Sequence, residues 1–261
     1  MMKAKTPGKL FLLGLILSFG FTAALHADES DAKRILKSMS DYMGAQSALA
    51  FEFDATLGIV TTDGQILDLA SSGSVVINRP DKIRATRALG FADIETVFDG
   101  KTLTLLGKRY NVYTQLEMPG TIDHLIDELK NAYNRPLPAA DLLLSSSYDE
   151  LIHDVVDIKD LGSGVVGGVE CDHLAFRTEE VDWQIWIAQG KEPYPCRFAI
   201  TSKLLENSPT YVVQTRSFKT GSAVPKDDFK FNNSTDAAEV ELEALQGVGD
   251  LPDNFTKGET E

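Results

Sequence analysis

The chain has 261 residues, 43% of them hydrophobic and 8% aromatic, enough apolar material to bury a real core. Its 39 acidic residues against 25 basic ones give a formal charge of −14, which sets it against nucleic acid and against anionic lipid surfaces. At this length it accommodates one large β domain or two small ones, and no Pro-, Gly- or Ser-rich linker divides it.

The first residues hold Lys3, Lys5 and Lys9 and no acid, followed by the apolar run 10–21 and then Thr22, Ala23, Ala24, Leu25, His26 and Ala27. A charged start, a short apolar middle and a small-residue end are the marks of a secretory signal peptide, expected over residues 1–27 with cleavage after Ala27 or, second, Ala24. The run is shorter than the ~20 residues that span a bilayer, and no later segment is long enough. A lipid anchor needs a cysteine directly after the cleavage site, and the cysteines are Cys171 and Cys196. The expectation is a soluble periplasmic protein with no stable membrane anchor, its formal charge taken to about −17 by loss of the three leader lysines.

From Asp28, the residues Ile35, Leu36, Met39, Tyr42 and Met43 recur at helical spacing behind Asp28, Glu29 and Asp31, where acids suit the helix dipole, with Gly44 as the stop. Short alternating runs bounded by turn residues then predict strands at 50–60, 65–77, 82–88, 94–98, 102–106 and 109–115. Asp63-Gly64 and Asp99-Gly100 sit at tight hairpin turns, so the six strands read as an antiparallel meander. Pro119, Gly120 and Thr121 open a helix with Ile122, Leu125, Ile126 and Leu129 on one face, ended by residues 135–138. A second short helix is expected at 139–145, where Leu142, Leu143 and Leu144 are too apolar to lie all outside, and residues 149–154 show no decisive pattern. Strands resume at 155–160, 168–178, 181–188, 197–203, 210–218 and 229–231. Residues 28–235 form a single domain in this reading, and residues 236–261 an acidic tail that begins as a helix.

One hairpin can be read residue by residue. With Glu179-Glu180 as a two-residue turn, Arg177 faces Asp182, Phe176 faces Trp183, Leu174 faces Ile185 and His173 faces Trp186. Across the following loop, Ile185 opposes Phe198 and Trp183 opposes Ile200. One face is then wholly apolar and the other carries Arg177, Asp182, Gln184, His173 and Trp186. This is a sheet with one dry side, which the helical segments are placed to cover.

Motifs for chemistry are sparse. Residues 162–167 have the spacing of a dinucleotide-binding glycine loop, but a strand follows where the phosphate-binding helix should start, so a glycine-rich β-turn is the better reading. His124, His153 and His173 each sit beside an acid, yet no two are close in sequence as metal ligands usually are. No Gly-x-Ser-x-Gly elbow or Cys–His spacing suggests a nucleophile. The chain is therefore read as a non-enzyme with no cofactor and no metal. Export makes Cys171 and Cys196 a candidate disulfide, although the hairpin register sets them two strands, about 9 to 10 Å, apart unless a bulge closes the gap.

Three runs carry a resemblance: Leu137-Pro138-Ala139-Ala140-Asp141-Leu142-Leu143, then residues 168–177 with Cys171-Asp172-His173-Leu174-Ala175-Phe176-Arg177, then Asp182-Trp183-Gln184-Ile185-Trp186. Through them the sequence resembles the predicted periplasmic proteins grouped as domain of unknown function 2092, which look like relatives of the LolA/LolB-like lipoprotein-carrier superfamily. The resemblance implies a mainly antiparallel α+β fold, a curved incomplete β-barrel wrapped round helices with an apolar cavity between, and no catalytic residues to carry over. On that footing the expected function is a carrier for a lipid, acyl chain or lipoprotein, with Leu142, Leu143, Phe176, Trp183, Ile185 and Phe198 lining the cavity. The alternative is a sensor or interaction module that binds an envelope protein through Trp186, Arg177 and Asp182, where a large apolar ring stands among charges.

Overall fold

A computed structural model describes residues 29–61, 63–133, 137 and 139–245. The leader, Thr62, most of the expected helix end at 135–138 and the tail beyond 245 lie outside the described residues. Helix α1 spans Glu29–Ala45, with Ala32, Leu36, Met39, Ser40 and Met43 buried at the spacing of one helical face. Its outer face carries the ion pairs Lys33–Glu29 and Lys37–Asp41, four residues apart. The helix ends at Ala45, one residue past the expected stop at Gly44. A Cβ there would sit 2.3 Å from the Ser145 carbonyl oxygen, so glycine serves close approach to a neighbouring loop.

Six strands follow: β1 Ala48–Val60, β2 Ile66–Asn78, β3 Lys82–Leu89, β4 Ala92–Phe98, β5 Thr102–Gly107 and β6 Val112–Glu117. Helix α2, Ile122–Asn131, buries Ile122, Leu125, Ile126 and Leu129, and its N-cap Thr121 accepts a hydrogen bond from the His124 N–H. The expected second helix is a single 3-10 turn, Ala140–Leu143, entered from Ala139 in a left-handed conformation, and residues 149–154 fall largely within a short helix α3, Ser147–Ile152. The second meander comprises β7 Asp157–Val166, β8 Val169–Arg177, β9 Val181–Ala188, β10 Pro195–Ser202 and β11 Thr210–Thr220. All are antiparallel neighbours in one sheet, ordered β6-β5-β4-β3-β2-β1-β11-β10-β9-β8-β7. The two meanders join where β1 pairs with β11.

The sheet is open, and it curves. Strands β4 and β10 stand five strands apart, about 24 Å along a flat sheet, yet residues of both line one cavity. The helices lie in the concavity, and Leu36, Met39, Met43, Leu49, Ile77, Phe98, Ile122, Leu174 and Ile185 form part of one continuous core.

The hairpin register is as read: Arg177 opposes Asp182, Phe176 opposes Trp183, Leu174 opposes Ile185 and His173 opposes Trp186, with Ile185 and Trp183 facing Phe198 and Ile200 on β10. Elsewhere the structure corrects the sequence reading. Residues 162–166 belong to β7, where Gly162 at φ +79° absorbs an irregularity between Asp160 and Ser163, and the turn is Gly167-Gly168, both with positive φ. Residues 229–231 are not a strand: Phe229 has φ +54° and donates its N–H to the Asp227 carboxylate, so the ladder cannot continue. Residues 236–245 are no detached tail. They include strand β12, Ala238–Glu239, paired in parallel with β6, and a 3-10 turn at Leu242–Leu245.

Candidate functional site

The concave face of β1 to β4, β10 and β11, together with α2 and the 3-10 turn, encloses a cavity. The cavity has a volume of about 260 Å³, against ~10–15 Å³ needed to hold one water. A void of this size is far larger than a packing defect. Strand periodicity builds the lining. Phe51 and Phe53 alternate onto the inner face of β1, with Val75 on β2, Ile83 and Ala85 on β3, and Val213 and Phe218 on β11. Gly73, opposite Phe53, makes the arrangement feasible, because a Cβ there would meet the Phe53 ring at 2.5 Å.

The other wall is helical. Ile122, Leu125 and Ile126 come from the buried face of α2, and Ala140, Leu142 and Leu143 from the 3-10 turn. Arg79, half-buried just past the end of β2, fixes this turn by donating from Nη2 to the Leu143 carbonyl at 2.7 Å. Asp123 of α2 accepts from the Ser145 N–H at 3.1 Å and from its hydroxyl, and stands 4.0 Å from Arg79. Leu137, 47% exposed, lines the cavity where it reaches solvent.

Of the six residues expected to line the cavity, Leu142, Leu143 and Phe198 do so. Phe176, Trp183 and Ile185 are buried but lie in filled core: Phe176 stacks on Trp183 with centroids 3.9 Å apart, and α1 packs over β9. The sequence reading missed the first meander's contribution. Its signal was the alternation Phe51, Phe53, Ala55, with Phe53 opposite Gly73 and Ala55 opposite Ser71.

The outer face of the second meander is tied up internally. Trp186 is half-buried, stacked on His173 at 4.1 Å, faced by the Arg197 guanidinium at 5.5 Å, and seated over Gly164, where a Cβ would lie 3.1 Å from the indole. Arg177 makes a two-pronged contact with Asp182, 2.7 and 2.8 Å. Cys171 and Cys196 are free thiols, both buried, in a small cluster with Val166 and Ala188. The pairing of β9 with β10 is irregular between Pro195 and Arg197, next to this shared cluster. Burial, reinforced by Cys171, pushes the Cys196 thiol up to about 12, and burial raises Cys171 as well.

Residues 32–243 match the family model described as predicted periplasmic protein (DUF2092). The chain belongs to this periplasmic family. Among the described residues no helix is long and apolar enough to cross a membrane. No curated protein sequence matches the chain. Among solved structures, an uncharacterised conserved protein from Thermus thermophilus is similar at 12% identity, covering 80% of this chain and 98% of that one, with a TM-score of 0.47. LprF from Mycobacterium bovis is similar at 10% identity over 76% of this chain and 97% of its own, TM-score 0.47. MucB of Pseudomonas aeruginosa, in its complex with MucA, is similar at 15% identity over 77% of this chain and 61% of its own, TM-score 0.44.

Proposed function

We propose that the protein binds a hydrophobic guest, a lipid, acyl chain or lipoprotein acyl group, between the concave sheet and the α2 wall, and carries it in the periplasm. The single supporting observation is the cavity itself, lined by aromatic and aliphatic side chains from both layers and reaching solvent beside Leu137. Ligand sites of this kind are concave, mostly apolar and preformed. Transfer of a chain from water into such a lining is favourable by about 0.8 kcal/mol per CH₂, so a long alkyl guest is retained without directional contacts.

The test is a native mass spectrum of protein purified from periplasm, with binding of a neutral dye that brightens in apolar surroundings. A co-purified lipid mass or a saturable dye signal is expected, and Ala85→Trp, which fills the cavity from β3, should reduce dye affinity about tenfold or more. Circular dichroism and the melting temperature of the variant establish that it is folded, with the smaller Val75→Phe as a second filler. Wild-type protein that carries no lipid and leaves the dye dark would sink the carrier reading.

A further inference from the structure

Among the described lining residues, Arg87 is the one that carries charge. It projects from β3 on the inner row Ile94, Arg87, Gly73, Phe53, Thr215, which crosses five strands. Its Nε donates to the Ser71 hydroxyl at 3.2 Å, and neither terminal nitrogen has a hydrogen-bond partner among the described residues. No described carboxylate lies within 4 Å of it, although the chain has 39 acids against 25 bases. Arg84, three positions earlier on the opposite face of the same strand, shows the contrast: it is met by Glu95 and Asp227.

Tyr211, from β11, also stands in the lining, and its hydroxyl has no hydrogen-bond partner among the described residues. Burial pushes this phenol up, with Arg87 opposing, so it keeps its proton at neutral pH and offers a donor. A guanidinium with free donors and a protonated phenol, both lining one otherwise apolar chamber, supply the donors of a receptor for a small anion. Leaving such a guanidinium half-buried without a counter-charge is unfavourable, and an incoming anion removes that penalty where a neutral guest does not.

We propose that the guest is an anionic amphiphile, its acidic head (carboxylate or phosphate) held by Arg87 and Tyr211 and its alkyl chain laid along the apolar lining. This rests on the apolar-guest reading above and adds the chemistry of the head. The chain's formal charge of −14 does not oppose it. Fields of distant surface acids are screened over about 8 Å at physiological salt, while the head meets Arg87 in direct contact.

The test is displacement of the neutral dye by laurate, by a lysophosphatidic acid and by uncharged monolaurin, on the wild type, Arg87→Gln, Arg87→Lys and Tyr211→Phe, each checked for folding by circular dichroism. The wild type should prefer the anionic guests to monolaurin by about tenfold or more. Arg87→Gln should abolish that preference, Arg87→Lys should restore much of it, and Tyr211→Phe should reduce it about threefold. Preference for laurate over the lysophosphatidic acid assigns a carboxylate head and the reverse assigns a phosphate. Equal displacement by charged and uncharged guests, or a preference unchanged in Arg87→Gln, overturns the proposal and leaves the apolar-guest reading standing. A wild type that fails to bind the dye removes both.

Discussion

Asp141 is an acid placed where its charge is least welcome. It is the second residue of the 3-10 turn on the cavity wall, and burial, with Glu150 and Asp127 adding to it against Lys130, raises its carboxyl above the usual range. The folded state then holds the Asp141 proton more tightly than the unfolded chain does. Its contribution to stability falls as pH rises through the raised native value and recovers as pH falls back through it. Asp141→Asn should therefore raise the melting temperature by roughly 1–3 °C near neutral pH. The difference from wild type should narrow as the native carboxyl takes up its proton and close once acidification protonates that carboxyl in the unfolded chain as well. A gain that persists unchanged in acid would mean that the amide acts through a new hydrogen bond instead of through lost charge. At this scale the sequence was informative where chemistry is local, as at Leu142 and Leu143, whose crowding forces them inward. Arg87 was invisible because its meaning lies in what does not surround it.

At the scale of elements, hairpins were legible and helix ends less so. The β8–β9 register followed from a two-residue turn and a period of two, since any slip by one residue would carry Trp183 and Ile185 to the wet face. The helix–loop connections depended on contacts between distant segments. Gly44 illustrates this: a glycine near a helix end reads as a stop, while in the structure it lets α1 lie against the carbonyl of Ser145. That loop is the cavity wall fixed by Arg79 and Asp123, so the approach sets how closely α1 and the wall can pack. Gly44→Ala removes the small helix-propensity penalty of glycine, about 1 kcal/mol, but forces a backbone carbonyl to move. The net expectation is a loss of about 1–2 kcal/mol in a denaturant melt. A stabilised Gly44→Ala would show that the loop yields freely, and with it the wall.

For the whole molecule the decisive matters are the two edges of the sheet and the space it encloses. Whether Phe51, Phe53 and the α2 face interlock or stand apart is a question of summed volumes over many elements, which no local pattern encodes. The acidic composition of residues 236–245 hid a different fact, because acidity describes the exposed side of that segment and not its backbone. Ala238 donates to the Asn111 carbonyl at 2.9 Å and Val240 to that of Tyr113 at 2.8 Å, while Ala237 and Leu245 are buried. The segment thus occupies the edge of β6, and Phe231 packs on Tyr113 at 4.8 Å to hold its approach. Removing residues 236–261 would leave β6 as a bare edge, a template for pairing with another chain. The buried side chains and edge hydrogen bonds together are worth about 2–4 kcal/mol, so the truncated protein should melt roughly 5–10 °C lower. It should also form soluble aggregates by light scattering at concentrations where the full chain does not. Since β6 supplies no lining residue, dye binding below the lowered melt should persist. A truncated chain that melts and scatters like the full one would mean that the edge is protected by β6 itself, and that the closing segment is a passenger on the sheet.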